Sequence, residues 1–297
     1  MPITLQGARV LKDLSKRDIR VLYMVETLLK HGEYAPIEQI ARYTKYDLSE
    51  VDMRLSKLNK LKLVQRWTGA FVGYTLTFSG YDALALNALY NKKIVYGVGR
   101  EKGVGKESDI YYALNWNEEE IIIKINRTGR MSFQQVKRKR DFLEGRRHYS
   151  IFFMAELSAQ REYEILSKLQ NSGLPIPKVF GANRHIIAMN IIEGRELVNV
   201  SKLRKPLNVL EDVIEFAKIL YQKYKIVHGD LTEYNILYNP ETEKITIIDF
   251  PQAVDISHPE AMNLLKRDFA HLINFFEMKY HISVDVDDVL DYVTGSK

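Results

Sequence analysis

Residues 226–250, IVHGDLTEYNILYNPETEKITIIDF, set three oxygen-bearing side chains, Asp230, Asn235 and Asp249, in a largely apolar surrounding. ILYN and KITIID read as two strands joined by the turn PETE, so that Asp249 leaves a strand end beside the loop holding Asp230 and Asn235. Oxygen donors gathered in this way suit Mg²⁺, which prefers one or two carboxylates, substrate phosphates and water to a closed protein cage. Asp and Asn also favour turns for their own sake, so the stretch needs support from elsewhere in the chain.

That support lies upstream. Lys124 is the sole charge in IIIKI (121–125), and an ammonium inside a buried strand needs an anionic partner, whereas at a strand edge it would snorkel to water. The helical segment AQREYEILSKL offers Glu162 as that partner, with Glu164 as the neighbouring choice. GVGKES (103–108) precedes a strand, where Gly103 and Gly105 let backbone N–H groups approach phosphate. Phosphoryl transfer asks a protein for these parts, since its work is placement and charge stabilisation. In protein kinases a catalytic-loop Asp accepts the hydroxyl proton, an Asn five residues on holds one Mg²⁺, and an Asp after a further strand pair holds the other. Asp230, Asn235 and Asp249 repeat those identities and that spacing.

The chain has 297 residues, enough for two domains, and no cysteine, which excludes disulfides and thiolate metal sites and fits a reducing, cytoplasmic compartment. The N-terminus carries no basic head with an apolar core, and no apolar run approaches the roughly 20 residues that cross a bilayer, so neither export nor insertion is expected. The net charge of +5 is a local matter: window 127–147 holds eight Lys/Arg against Asp141 and Glu144, more than the whole excess. It reads either as a solvated loop or as a contact for a polyanion.

Residues 1–90 form a first unit. Ser15 with Asp18 caps a helix carrying Ile19, Leu22, Val25 and Leu29, and Pro36 opens a second helix, IEQIARY. Asp47 and Glu50 form an Asp-x-x-Glu capping pattern before a third, with Val51, Leu55 and Leu58 inward and Arg54 and Lys57 outward. VQRWTGAFVGYTLTF then reads as a hairpin, which completes the order of a winged helix-turn-helix. In that fold Arg54, Lys57, Lys60 and Arg66 are the candidate nucleic-acid contacts, the alternative being a protein docking module with a charged outer face. A linking helix follows, then a mostly β segment and a mostly α one, an α+β architecture overall.

The sequence resembles the RIO family of atypical protein kinases, within its second subgroup, which joins a winged helix to the kinase fold. The resemblance rests on GVGKESDIYYA (103–113), IIIKI, SFQQVKRKRDF (132–142), MNIIEGREL (189–197), IVHGDLTEYNIL and IIDFPQ, in order along the chain. It implies a kinase domain over 91–297, with an N-lobe to about 188, a hinge over about 189–194 and a C-lobe beyond. It further implies ATP and Mg²⁺ (or Mn²⁺) as cofactors, Lys106 and Ser108 on the phosphates, Lys124 fixed by Glu162, and Met189 behind the adenine with the backbone of Asn190 and Ile192 pairing the base. Asp230 would be the acid-base residue, with Asn235 and Asp249 the metal ligands. Autophosphorylation would fall on Ser132, Thr128 or Asp249, the last as an aspartyl-phosphate. Lys137, Arg138, Lys139 and Arg140 in the basic window would touch RNA, and the partner would be the small ribosomal subunit precursor with its rRNA.

The sequence departs from ordinary kinases in having Asp-Phe-Pro-Gln after the second strand and no Ala-Pro-Glu segment, so a generic peptide platform is not expected. Two other readings compete. One is a small-molecule kinase of the aminoglycoside or choline type, which shares His-Gly-Asp-x-x-x-x-Asn; the other is a nucleotide-sensing RNA-binding platform without turnover. The absence of cysteine, the many Lys, Ile and Tyr, and the compact form point to an archaeal, thermophilic source.

Overall fold

A computed structural model describes residues 5–105, 107–127 and 147–296. The chain divides into two compact units: residues 1–160 with 180–189, and residues 161–179 with 190–297.

In the first unit a short helix α1 (Gln6–Val10) precedes helix α2 (Lys16–Leu29), which starts at the expected capping box, Ser15 and Asp18 each bonding the other's backbone N–H. Helices α3 (Ile37–Thr44) and α4 (Leu48–Lys60) follow, then the hairpin β2 (Val64–Thr68) and β3 (Val72–Leu76), whose ladder runs from Val64↔Leu76 to Thr68↔Val72. Strand β1 (Ala35–Pro36) adds to the other edge of β3. Val21, Leu22, Val25, Ile40, Val51, Leu55, Leu58 and Tyr74 close one core, the three-helix-and-wing arrangement expected from the spacing.

Two local expectations about α4 are corrected. Asp47 stands at the N-cap but its side chain makes no capping bond, and Glu50 turns instead to Arg17 (2.8 Å) and Arg54 (2.7 Å). Charge-assisted bonds from two guanidinium groups are stronger than one bond to a backbone N–H. Arg54 and Lys57 do lie off the α4 core, Lys57 with 43% of its side chain exposed, but they form no open basic face. Both close on Asp18, at 2.8 and 2.7 Å, and Arg54 is only 14% exposed. Burial pushes the Asp18 carboxyl up, but Lys57, the Ser15 N–H and Arg54 together hold it at about 2.

Helix α5 (Phe78–Asn91) leads to a five-stranded sheet of order β4-β5-β6-β8-β7, with β4 Gly97–Val104, β5 Ser108–Leu114, β6 Glu120–Asn126, β7 Val179–Asn183 and β8 Ile186–Asn190. Ile121, Ile123 and Ile125 pack with Tyr111, Ala113, Ala85 and Leu89 in a second core. Because successive strand residues face opposite ways, Lys124 stands on the other face with Ile122, directly across the ladder from Ile110.

Helix α6 (Arg147–Leu169) supplies residues to both units. In the second unit α7 (Pro206–Gln222), α8 (Ala261–Tyr280) and α9 (Val286–Thr294) surround the hairpin β11 (Ile236–Asn239) and β12 (Lys244–Ile247). Leu210, Phe216, Ile236, Ile247, Phe250, Phe269 and Phe276 share this core. Asp285 caps helix α9 by accepting from the Asp287 and Asp288 N–H groups. Strand β10 (Ile226–Val227) pairs with β13 (Val254–Asp255), so the two connections 228–235 and 248–253 start and end beside each other.

Candidate active site

Three of the residues singled out by spacing meet in the second unit. Asn235 Nδ2 donates to the Asp230 backbone carbonyl (2.8 Å) and to Asp230 Oδ2 (2.9 Å). The Ile248 N–H donates to the Asn235 carbonyl (2.9 Å), tying the strand that delivers Asp249 to the loop. With its NH₂ engaged by Asp230, Asn235 turns its amide oxygen, the atom able to ligate a hard cation, away from that bond. The Asn235 amide oxygen and the Asp249 carboxylate fall well short of the six ligands Mg²⁺ takes, so the pair fits an ion that brings phosphates and waters.

Asp249 itself has a left-handed backbone, φ 71°. Such a conformation outside glycine is uncommon and easiest for Asn and Asp, and here it turns the chain sharply out of β12. Phe250 then drops into the core.

The Asp230 carboxyl is raised above the ordinary range. Burial is the main cause, and the neighbouring Asp249 charge adds to it, while the Asn235 bond, Arg267 and His271 oppose it. A carboxylate moved toward the working pH is suited to take a proton from an attacking hydroxyl.

Sequence reasoning assigned no role to the groups behind this loop. His228 is buried; its Nε2 donates to the Ile248 carbonyl (3.2 Å), which leaves Nδ1 to accept from the Asp230 N–H (3.3 Å). Its ring also leans on Phe250, centroids 4.6 Å apart. Gly229 has φ 77°, and a Cβ there would lie 2.7 Å from the Gln252 carbonyl, so no other residue fits without displacing that backbone. Arg267 on α8 donates to the Gly229 carbonyl. Next to it Asp268 is buried and accepts from the Leu231 N–H; burial raises its carboxyl to about 6 against that bond and Arg267. Arg267 and Asp268 stand 38 residues or so beyond the loop, and only the helical spacing of α8, which turns Asp268 inward with Leu265 and Leu272, could have marked them.

The same unit holds Glu162, only 2% exposed, while Glu164 lies in solvent, so of the two glutamates offered as partners for Lys124 it is Glu162 that is buried. Asn190 ends β8 and Ile192 lies just beyond it, and the Asn190 N–H donates to the Lys178 carbonyl (2.9 Å).

The first unit holds the other set. Lys124 is 7% exposed and Met189 is buried. Gly103 pairs with Ile110 and Ser108 with Asn126, and the Gly105 N–H donates to the Ser108 carbonyl (2.7 Å), a tight turn at the head of β5. Of the nucleic-acid candidates Lys60 and Arg66 are exposed, whereas Arg54 and Lys57 are held by Asp18. Lys106, Thr128, Ser132, Lys137, Arg138, Lys139 and Arg140 lie outside the described residues. Among the described residues no helix is long and apolar enough to cross a membrane.

Comparison with known proteins gives consistent results. The RIO domain profile matches residues 109–289 and the Rio2 N-terminal profile residues 11–92. The serine/threonine-protein kinase rio2 of Dictyostelium discoideum is 36% identical over 273 residues, covering 92% of this chain and 52% of that longer protein. The RIO-type serine/threonine-protein kinase Rio2 of Methanocaldococcus jannaschii is 36% identical over 275 residues, covering 90% of this chain and 100% of the relative. The crystal structure of the Rio2 kinase from Chaetomium thermophilum in an ADP/Mg²⁺-phosphoaspartate complex matches with a TM-score of 0.83 at 33% identity, over 97% of this chain and 89% of that one.

Proposed function

The chain belongs to the RIO family of atypical serine/threonine protein kinases, ATP- and Mg²⁺-dependent enzymes, and from that premise we propose that it phosphorylates itself on an aspartate and acts in small ribosomal subunit maturation. The observation that carries the reading is the Asp230–Asn235 bond beside Asp249, a base and two metal donors held in one loop system. Asn235 and Asp249 would hold Mg²⁺, which when bound neutralises charge on the transferring phosphates. Lys124, with Glu162, would hold the α- and β-phosphates. Gly103, Gly105, Lys106 and Ser108 would line the triphosphate, and Met189, Asn190 and Ile192 the adenine.

Asp249 is the proposed acceptor. A carboxylate oxygen attacks the γ-phosphorus, the bond to the β,γ-bridging oxygen breaks, and ADP leaves; water later cleaves the acyl phosphate and restores the carboxylate. The phosphoaspartate of the Chaetomium Rio2 complex supports this chemistry for the fold. The test is incubation with γ-labelled ATP and Mg²⁺. Label on the protein should be released by hydroxylamine, vanish in Asp249→Asn and persist in Thr128→Ala/Ser132→Ala. Label that resists hydroxylamine and disappears in the double hydroxyl variant would move the acceptor to Ser132 or Thr128.

RNA contact is proposed for Lys137, Arg138, Lys139 and Arg140 together with Lys60 and Arg66, in the cytoplasm, on precursor rRNA, while Arg127 of the same basic window is buried against Asp82 and Asp109. Arg54 and Lys57 contribute to α4 instead, because breaking their bonds to Asp18 would leave a buried carboxylate unpaired. Lys and Arg contacts release counterions, so replacing Lys137, Arg138, Lys139 and Arg140 by Gln should lower the slope of log affinity against log salt by roughly 3. An unaltered slope for structured rRNA fragments would remove the window from the interface.

A further inference from the structure

The turn 103–108 is fastened to the N-terminal domain by a buried ionic cluster. The Arg127 N–H donates to the Glu107 carbonyl at 2.6 Å, inside the turn. Its guanidinium leaves the sheet and forks onto Asp82 of α5, with Nη1 and Nη2 at 2.7 and 2.8 Å from the two carboxylate oxygens, while Nε reaches Asp109 at 3.0 Å. Asp109 follows Ser108 directly. His185 bonds the same Asp82 through Nε2 (2.7 Å), and its carbonyl accepts from the Asn126 N–H (2.8 Å), the residue paired with Ser108. The His185 ring stacks on Tyr81, centroids 4.6 Å apart, and the Tyr81 hydroxyl donates to Glu156 at 2.6 Å. Asp82, Asp109, Arg127 and His185 are all buried. Asp82 lies in the stretch matched to the Rio2 N-terminal domain, and the other three lie in the stretch matched to the RIO domain.

We propose that Asp82 acts through Arg127 as a positioning residue for the phosphate-binding turn, so that nucleotide affinity is coupled to the N-terminal domain. The proposal rests on the assignment of 103–108 to nucleotide phosphates. A bidentate fork has one geometry, and moving either end shifts Glu107 and Ser108 relative to Lys124 on the next strand. Coupling of this kind is reciprocal: phosphates that order the turn also stabilise the helix that holds it.

Asp82→Asn keeps the shape and weakens the fork. ADP–Mg²⁺ binding, measured by calorimetry below the variant's unfolding midpoint, should weaken about tenfold, with the loss falling mainly on KM for ATP. Arg127→Lys should bind with intermediate affinity, since an ammonium reaches Asp82 without forking. A purely structural role would lower the unfolding midpoint and leave the affinity of folded protein unchanged, and that result would overturn the proposal. Wild-type protein supplies a test that needs no variant. Saturation with ADP–Mg²⁺ should slow amide exchange over residues 78–91, and unchanged exchange with nucleotide bound would overturn it equally. Wild-type protein that takes up no ADP–Mg²⁺ would refute the phosphate-site assignment itself.

Discussion

Asp230→Asn is expected to slow hydrolysis of the phosphorylated enzyme by a factor of about 10²–10⁴ while ADP–Mg²⁺ still binds, the range found when a positioned general base is removed. Asp249 attacks ATP as a carboxylate with no proton to lose, and the proton Asp230 would take belongs to the water that cleaves the acyl phosphate. The amide matches the carboxylate in shape. Its oxygen can still accept from Asn235 Nδ2, which now bonds Asp230 Oδ2 at 2.9 Å, so the loop has no reason to rearrange. What is lost is the ability to take a proton. Asp249→Asn should fail differently, because the charge it removes is a metal donor, and nucleotide–metal binding weakens along with turnover. The rate at which labelled phosphate is released from the phosphorylated enzyme and calorimetry with ADP–Mg²⁺ separate the two. Wild-type rates in Asp230→Asn would exclude it as the base. The raised carboxyl also sets the sign of the pH profile: the active form is deprotonated, so the rate falls in acid, at a higher pH than an ordinary aspartate would give.

The site was legible in the sequence where its logic is local. The pairing of Asp230 and Asn235 spans five residues, and Asp249 follows one hairpin later, so ladder spacing delivers it. Lys124 was legible because a single charge in an otherwise apolar strand must face away from Ile121, Ile123 and Ile125. The capping box of α2 was legible for the same reason, both partners lying within one turn. The box expected at Asp47 and Glu50 did not form because Arg17, 33 residues away in the chain, and Arg54 approach Glu50. Local patterns carry no information about such tertiary competitors. Arg54 and Lys57 show the converse error: periodicity placed them off the α4 core, but the carboxylate that draws them in belongs to α2. Sequence distance hides the Asp82 cluster most completely, since Arg127 is 45 residues from Asp82 and His185 is 103. Asp82 and Asp109 have no cation in their own helix or strand, and Arg127 and His185 lie just outside the strands they adjoin, so no local pattern pointed to burial.

That cluster should also dominate the stability of the first unit. Arg127→Met is expected to destabilise it by about 3–5 kcal/mol, the effect of removing one partner from a buried ion pair. On that scale the unfolding midpoint falls by roughly 10 °C. The variant strands both Asp82 and Asp109 without their shared cation, whereas Asp82→Leu leaves the guanidinium with Asp109. Arg127→Met should therefore be the more damaging of the two. In the native protein burial pushes the Asp82 carboxyl up, but Arg127 and the His185 bond outweigh it and hold it below the ordinary value. A carboxyl depressed on folding stabilises the native state above its unfolded pKa, and that contribution is lost as pH falls through the lower folded value. Without Arg127 burial, the largest influence, is opposed by the His185 bond alone and the sign is expected to reverse: the Asp82 carboxyl rises, so its charged form opposes folding at neutral pH and the opposition relaxes when it takes up a proton. The stability gap between wild type and Arg127→Met should be widest near pH 7 and narrow toward pH 4. Thermal or urea unfolding at the two pH values reads this directly. A gap that is constant with pH would mean that Arg127 acts by packing, its aliphatic stem and its stacking on Phe78 mattering more than its charge.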